Sequence, residues 1–361
     1  MTTPVPRDDA VRLPGTPATD RTPADVLASA RAAAGDPRAA LALAGDLGRR
    51  LPLPGAGHTA GLWSTLAGVA AADLTVARAL EPHLDAVAIL DQAGAGTAAG
   101  VDLGSLAVDG DSTWGVFAAE GPAARLEARY DAGGWTLTGT KPWCSLAGIL
   151  SHGLVTAWTG AETRRLFAVR LAGPQVRVTD EPWVARGLPA VTSSPVEMER
   201  APAVPVGEDG WYLTRPGFAW GGIGVAAIWY GGAVGVARRL VAQAGRRHPD
   251  QIGLAHLGAV DAVLVAAAAM LGDAATRVDD GRATGPDGAL LALRVRQVVR
   301  RAAEEVLDRA HHGLGPGPLV SEPEHAARVA DLQLYLRQEH AERDQATLGG
   351  QLITRSDGAP W

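Results

Sequence analysis

The chain has 361 residues, of which 47% are hydrophobic and 20% are charged. This balance excludes a disordered chain, which would bury too little apolar surface to fold, and the length suffices for two or three packed units. With 33 basic against 39 acidic residues the formal charge is -6, so the chain lacks the basic excess of nucleic-acid-binding proteins, and we expect no nucleic-acid partner.

The cysteine and histidine content argues against disulfide bonds and metal binding. Cys144 is the single cysteine, so the chain cannot form an internal disulfide bond. The 9 histidines nowhere take up the spacing of zinc ligands, and we predict no metal site. Residues 1–24 lack the charged and apolar regions of a secretory signal, which predicts a cytoplasmic protein.

The first third of the chain has the pattern of a tail followed by helices. Residues 1–24 are rich in Pro, Thr, Asp and Arg without hydrophobic periodicity, which predicts a flexible tail. Residues 25–112 contain segments with apolar residues three and four positions apart, as amphipathic helices require. They predict an N-terminal helical domain that ends in a glycine-rich connection over residues 94–112.

Residues 113–208 have the pattern of β-structure. Short runs rich in Val, Leu, Trp and Thr alternate with turn residues. The runs at residues 125–130 and 135–139 are joined by Asp-Ala-Gly-Gly, which predicts a β-hairpin. Later runs repeat the arrangement. About six strands in all predict a small antiparallel β-barrel or sandwich.

Residues 209–361 return to helical periodicity and predict a C-terminal four-helix bundle. Its four segments are residues 218–244, 254–279, 288–312 and 322–348. Residues 218–237 carry no charge and are long enough to span a membrane, but their six glycines lower the hydrophobicity, so we predict a buried bundle helix and no membrane span. Residues 263–271 are apolar all round, which suits a helix enclosed by neighbouring helices or by a partner subunit, and we expect an oligomer.

The most informative segment is the predicted strand end at residues 137–145, which reads LTGTKPWCS. Together with the α+β order of helical domain, barrel and bundle, it resembles the acyl-CoA dehydrogenase family. In that family an Asn-Gly-x-Lys-x-Trp strand end lays its indole against the flavin ring and places a hydroxyl residue at flavin N5. The resemblance implies that Trp143 and Ser145 contact FAD.

A second segment resembles the family's Val-Thr-Glu-Pro strand, whose backbone amides and threonine face the pyrimidine end of the flavin. Residues 116–120 read VFAAE, so the resemblance places Ala118 and Ala119 at the cofactor without the hydroxyl. The following residues 121–124 lack the serine with which the family contacts CoA. The resemblance therefore implies that this segment binds the cofactor and that CoA is bound differently than in the family.

A third segment resembles the family's Gln-x-x-Gly-Gly-x-Gly turn, which meets the FAD diphosphate. Residues 309–315 read RAHHGLG, so Arg309 stands where the family has glutamine. A guanidinium can bind a diphosphate through charge-assisted hydrogen bonds. The resemblance thus implies a diphosphate site at Arg309, Gly313 and Gly315.

The family removes the α-proton of an acyl thioester with a carboxylate while N5 accepts the β-hydride. The resemblance aligns Glu339 with the glutamate that serves as this base. A second interpretation is also open, in which Glu339 forms an ordinary surface pair with Arg343 one turn later. Structural alternatives are likewise open for Trp143 as a core side chain, Ser145 as a turn hydroxyl and Arg309 as a solvated helix residue.

The resemblance implies an FAD-dependent acyl-CoA dehydrogenase-like oxidoreductase that introduces an α,β-double bond into an acyl thioester of CoA or a carrier protein. An electron-transfer flavoprotein or a similar acceptor would take the electrons. Two alternatives are open: a non-catalytic or half-active subunit of a heteromeric acyl-CoA dehydrogenase, and a flavin-dependent monooxygenase on the same fold, in which the base is dispensable. In each case we expect a homo- or hetero-oligomer.

Overall fold

The computed structural model describes residues 10–94, 100–122, 124–246 and 248–354. The contacts within the chain define two compact units. The helical unit consists of Met1–Ala34, Pro52–Ala77 and Gly222–Trp361, and the barrel unit consists of Gly35–Leu51 and Arg78–Gly221. The helical and barrel segments of the sequence are therefore interleaved along the chain, because residues 35–51 belong with the barrel.

The described α-helices are α1 (Ala24–Ala32), α2 (Pro37–Arg50), α3 (Thr59–Ala72), α4 (Leu74–Gln92), α5 (Trp211–Thr214), α6 (Pro216–Arg246), α7 (Gln251–Asp279), α8 (Gly285–Leu314), α9 (Gly317–Ser321), α10 (Pro323–Tyr335) and α11 (Glu342–Thr354). The described strands are β1 (Trp114–Phe117), β2 (Leu126–Asp131), β3 (Gly134–Ser145), β4 (His152–Trp158), β5 (Arg164–Arg170), β6 (Val176–Val178) and β7 (Ser193–Val206). Short 3₁₀ helices cover Ala18–Asp20, Gly104–Leu106 and Leu336–Gln338.

Five strands of the barrel unit form a closed barrel. Their order is β4, β2, β3, β7, β5, and β5 pairs again with β4. The predicted hairpin is confirmed, since β2 and β3 pair antiparallel from Leu126 opposite Gly139 to Asp131 opposite Gly134. The predicted small barrel is confirmed as well. Its pairing is not wholly antiparallel, because both β1 and β2 pair with β4 in the parallel direction.

The helix α4 covers one side of the barrel and completes its core. Ile89 of this helix packs with Leu154 of β4 and Leu166 of β5, and all three side chains are fully buried. Because α4 and the barrel interior bury opposite faces of β4, this strand is buried along almost its whole length. The packing fixes α4 against the strands, and Arg78 is carried on this helix.

Two irregularities interrupt the pairing of β3 with β7, and both shape the strand end that the sequence singles out. Gly139 has φ +122°, and a side chain there would collide with the carbonyl oxygen of Arg125, so only glycine fits. Between Lys141 and Cys144 strand β3 contains one residue more than the strand opposite, which is a β-bulge. A bulge redirects the side chains that follow it.

In the helical unit, α3 is buried on every side and α6 packs closely against it. A side chain at Gly231 would collide with the carbonyl oxygen of Ala67, and one at Gly235 would lie 3.0 Å from the carbonyl oxygen of Ala71. The glycines of α6 therefore let two helix backbones approach, as the four-residue spacing predicts.

Two helices are long and apolar enough to cross a membrane by length and composition. They are α6, whose most apolar stretch is 72% buried, and α7, whose most apolar stretch is 22% buried. Such helices are weak evidence for a membrane, because core helices pass the same test. The burial of α6 agrees with the predicted bundle helix.

The fourth predicted bundle helix, at residues 322–348, is interrupted. Helix α10 ends at Tyr335, the 3₁₀ helix Leu336–Gln338 follows, and α11 begins only at Glu342. The break has a local cause, because the Glu339 carboxylate accepts a hydrogen bond of 2.8 Å from the backbone nitrogen of Ala341. Ala341 has φ +50°, which no α-helix tolerates. No glycine or proline marks this break in the sequence.

The predicted flexible tail is also corrected for residues 10–24. Leu13 is fully buried, and its backbone nitrogen donates to Ser64 Oγ over 3.1 Å. Thr16 Oγ1 lies 2.9 Å from the same hydroxyl. Side-chain hydroxyls of α3 thus anchor a segment that has no hydrophobic period for a sequence pattern to reveal. Residues 1–9 of the predicted tail, and residues 95–99 of the predicted glycine-rich connection, lie outside the described residues.

Candidate functional site

Trp143 lies on the β-bulge of β3 with its indole directed outward. Its side chain is 60% exposed, although tryptophan is usually buried. Its φ is +59°, a left-handed conformation that is a genuine outlier for a bulky residue and costs roughly 1 to 3 kcal/mol. Exposure and strain together exclude the interpretation of Trp143 as a core side chain. The bulge therefore presents a flat apolar surface to solvent.

The lysine that precedes Trp143 anchors the bulge from inside. Lys141 is fully buried, and its Nζ donates to Glu120 Oε1 over 2.7 Å and to Thr156 Oγ1 over 2.8 Å. Burial lowers the pKa of Lys141. Burial alone would raise the pKa of Glu120, but hydrogen bonds and charge from Lys141 and Arg164 outweigh it and hold this pKa below its usual value. The lowered pKa of Glu120 favours its carboxylate form beside the Lys141 amine.

This ion pair brings together two of the predicted cofactor segments. Glu120 follows Ala118 and Ala119 in the chain, and the next residue, Gly121, lies against the ring of Pro142. Ala118 is half-buried and Ala119 is exposed. The segment after β1 is thus held beside the bulge, with backbone groups and methyl side chains as its chemistry and no side-chain hydroxyl.

Ser145 lies two residues beyond Trp143 and has two polar partners. Arg78 Nη2 of α4 donates to Ser145 Oγ over 3.0 Å, and Ser193 Oγ of β7 lies 2.8 Å from the same oxygen. Sequence reasoning missed both partners, because Arg78 is 67 residues away in the chain and Ser193 is 48 residues away. Cys144, between Trp143 and Ser145, is buried, and burial raises the pKa of its thiol to about 12, which makes it unreactive.

A cavity of about 280 Å³ opens beside this strand end in the barrel unit. It is lined by the first residues of α2 and by the segments that follow Ser145 and precede Ser193, namely Asp36, Pro37, Arg38, Leu146, Gly148, Ile149, Ala190 and Thr192. The N-terminal amides of α2 are already used, since Asp36 Oδ1 accepts from the nitrogens of Arg38 and Ala39. The amides at this helix end are therefore not available to an anion in the cavity.

The predicted diphosphate residues belong to the helical unit, where they take part in regular helix structure. Arg309 Nε lies 2.7 Å from Glu305 Oε1, one turn away on α8. Gly313 is inside α8, and a side chain there would meet Leu240. Gly315 caps the helix with φ +65°. Because α8 runs on to Leu314, its amide groups are used by helix hydrogen bonds.

Glu339 is buried, with a relative exposure of 4%, so it is not the surface residue of the second interpretation. Its partner is Arg300, whose Nε lies 2.8 Å from Glu339 Oε2, and not Arg343. Its other oxygen accepts from Gln297 Nε2. With the bond from the nitrogen of Ala341, both carboxylate oxygens are engaged.

No family model and no curated protein matches the sequence. Solved structures do match. KijD3 in complex with FMN and an amino-keto sugar nucleotide is 21% identical, with a TM-score of 0.72 over 91% of this chain and 90% of that one. The FMN-bound dibenzothiophene monooxygenase TdsC from Paenibacillus sp. A11-2 is 18% identical, with a TM-score of 0.72 over 90% and 94%.

Butyryl-CoA dehydrogenase from Megasphaera elsdenii is 18% identical to the chain, with a TM-score of 0.71 over 82% of both proteins. The chain has the acyl-CoA dehydrogenase fold. This fold is shared by a dehydrogenase of acyl thioesters and by proteins solved with FMN, one of them a monooxygenase. Identities of this size establish the fold and leave the reaction to be argued from the residues.

Proposed function

We propose that the chain is a flavin-dependent monooxygenase built on the acyl-CoA dehydrogenase fold. The observation that carries the proposal is the state of Glu339, which is the only base that the family resemblance offers. A base must present a free lone pair to the substrate proton. Arg300, Gln297 and the nitrogen of Ala341 occupy most of the acceptor capacity of the Glu339 carboxylate, and its side chain is fully buried, so α-proton removal would first require a buried ion pair to break.

The barrel unit supplies residues that fit a flavin. In this proposal the exposed indole of Trp143 covers the isoalloxazine ring, and the hydroxyl of Ser145 donates a hydrogen bond to flavin N5. The backbone at Ala118 and Ala119 contacts the pyrimidine end of the ring. The strained bulge supports this assignment, because strain without a ligand would only destabilise the fold.

We propose FMN rather than FAD as the flavin. The resemblance assigns the FAD diphosphate to Arg309, Gly313 and Gly315. That role needs free amide groups at a turn, whereas Gly313 is inside the continuous helix α8 and Arg309 is paired with Glu305. Two of the structural neighbours were solved with FMN, which supports the same choice.

A bound reduced flavin supplies two electrons to dioxygen, so that one oxygen atom enters the substrate and the other leaves as water. The protein then has no proton to remove from a carbon atom, and it needs only to hold the ring, orient the substrate and exclude water. The sequence has no dinucleotide-binding fingerprint. We therefore propose that a separate reductase supplies the reduced flavin, in place of an electron-transfer flavoprotein that removes electrons.

The oligomer and the cytoplasmic location expected from the sequence are part of this proposal. Helix α7 carries large apolar side chains that are exposed in the isolated chain, among them Ile252, Leu254 and Val265. The most apolar stretch of α7 is only 22% buried, and exposed apolar surface on this scale is typical of subunit contacts. It supports an oligomer and leaves the number of subunits open.

The test begins with the flavin that the purified protein releases on denaturation, which chromatography identifies as FMN or FAD. Protein loaded with reduced flavin is then exposed to oxygen with dibenzothiophene, indole and amino-sugar nucleotides, the substrate classes that the neighbours suggest. We expect bound FMN and a product heavier by one oxygen atom, labelled when ¹⁸O₂ is used. A chain without flavin affinity until a related chain is added would instead support the half-active subunit.

A further inference from the structure

Arg78 is a buried cation that no sequence motif predicts. It contacts the hydroxyl of Ser145, the residue that we propose to face the flavin. Only 13% of its side chain is exposed, and its Nη2 donates to Ser145 Oγ over 3.0 Å. Its Nη1 lies 3.6 Å from Glu81 Oε2, one turn along α4. Helix α4 is fixed against the barrel core through Ile89. The guanidinium is therefore held on a rigid element rather than on a loop.

The hydrogen-bonding capacity of Ser145 decides where its proton can point. A serine hydroxyl carries one proton and two acceptor lone pairs, whereas a guanidinium only donates. Ser145 Oγ therefore accepts from Arg78. Ser193 Oγ lies 2.8 Å from Ser145 Oγ and 3.4 Å from the carbonyl oxygen of Val191, so its shorter contact is to Ser145. If Ser193 donates along this contact, both lone pairs of Ser145 are filled and its proton is available to a ligand.

The guanidinium also changes the strength of that proton as a donor. An arginine side chain carries a fixed positive charge. A charged donor on the hydroxyl oxygen polarises the O–H bond, and hydrogen bonds in a chain strengthen one another. The effect is larger in a partly buried site than in water. A stronger donor at N5 favours the electron-rich reduced flavin over the oxidised form.

We propose that Arg78 is a positioning residue for the flavin, which acts through Ser145 to direct a hydroxyl proton at N5 and so stabilises the reduced cofactor. This inference rests on the proposed function, because it needs a flavin at Trp143 and Ser145. In this proposal Ser193 has a second positioning role: it donates to Ser145 Oγ over 2.8 Å, which leaves the proton of Ser145 for the flavin.

The test compares the dissociation constants of oxidised and anaerobically reduced FMN for the parent chain and for Arg78→Met, which keeps the length of the side chain and removes its charge. Loss of one charge-assisted hydrogen bond predicts that the affinity for reduced FMN falls roughly tenfold more than that for oxidised FMN. For a two-electron couple this ratio corresponds to a potential lower by about 30 mV. The absorption band of the bound oxidised flavin should shift as well.

The matched control is Arg129→Met, which removes a cation from an exposed position of the same unit. We expect it to change the affinity ratio less than twofold. If Arg78→Met does not fold, Arg78→Lys and Ser193→Ala take its place, and each should shift the ratio in the same direction by a smaller factor.

An unchanged ratio in every folded variant, or an equal shift in Arg129→Met, would overturn the role of Arg78. Either result would leave the monooxygenase proposal intact, because the parent chain would still bind flavin. A parent chain that binds neither form of FMN would instead contradict the proposed function itself.

Discussion

Trp143 and Glu339 are the two residues on which the family resemblance depends most, and their surroundings are opposite. Trp143 is exposed and strained. Glu339 is buried, and its carboxylate is engaged by Arg300, Gln297 and a backbone amide of the helical unit. A residue that acts on a ligand must be accessible to that ligand and free to contact it. By this criterion Trp143 qualifies and Glu339 does not.

The largest effect should come from removal of the Glu339 carboxylate. Glu339→Ala removes one of the two carboxylates that face the buried guanidinium of Arg300, and we expect the free energy of unfolding of the helical unit to fall by about 3 kcal/mol. Urea denaturation followed by circular dichroism measures the change. The control is Glu324→Ala, whose carboxylate is 82% exposed in its pair with Arg328 and should contribute under about 1 kcal/mol. Equal changes in both variants would contradict a structural role for Glu339.

A second effect belongs to the barrel unit and depends on pH. His83 is buried on α4, and its Nδ1 accepts a hydrogen bond of 3.3 Å from the nitrogen of Trp114. Burial, with a smaller contribution from the charge of Arg49, lowers the pKa of His83 to about 4.

Because the unfolded histidine titrates near pH 6.5, the unfolded state binds more protons between these two values. The stability that neutral His83 supports is therefore complete above about pH 6.5 and is lost as the pH falls towards 4. We expect a loss of about 3 kcal/mol across this range, measured by denaturation of the parent chain at successive pH values. A matching loss in His83→Gln, which cannot titrate, would show that other groups are responsible.

The smallest effect on stability, and the most informative about binding, should come from Trp143→Gly. Glycine adopts φ +59° without strain, so the free energy of unfolding of the flavin-free protein should rise by up to about 1 kcal/mol or stay unchanged. Flavin affinity should fall about tenfold, because the ring loses its aromatic cover. Tyr130→Ala removes another exposed aromatic side chain of the same unit and should leave flavin affinity unaltered. Equal losses of affinity would assign the effect to general surface change.

Much of the fold could be predicted because it is periodic. The β2–β3 hairpin, the barrel and the long helices follow from alternation, turn residues and helical spacing. The break at Glu339 and the anchored segment at residues 10–24 could not be predicted in this way. Both depend on single hydrogen bonds between a side chain and a distant or irregular backbone group, which leave no period in the sequence.

The candidate site could likewise be predicted only in part from the sequence. Trp143 and Ser145 are neighbours in the chain, so a local motif brings them to notice. Arg78 and Ser193 reach Ser145 only through the packing of α4 and the pairing of β3 with β7. Nor could the sequence show that Glu339 is buried, because Arg343 offers it a suitable partner one turn away whereas Arg300 lies on another helix.

Anaerobic titration of the oxidised holoprotein with saturated acyl-CoA thioesters of short, medium and long chains tests the central claim most directly. The visible absorption of the flavin is the signal, and dithionite added afterwards shows that the flavin can be reduced. With Glu339 held by Arg300, we expect no bleaching by any thioester and full bleaching by dithionite. Thioester bleaching that disappears in a folded Glu339→Gln variant would contradict the account and identify Glu339 as the base of a dehydrogenase.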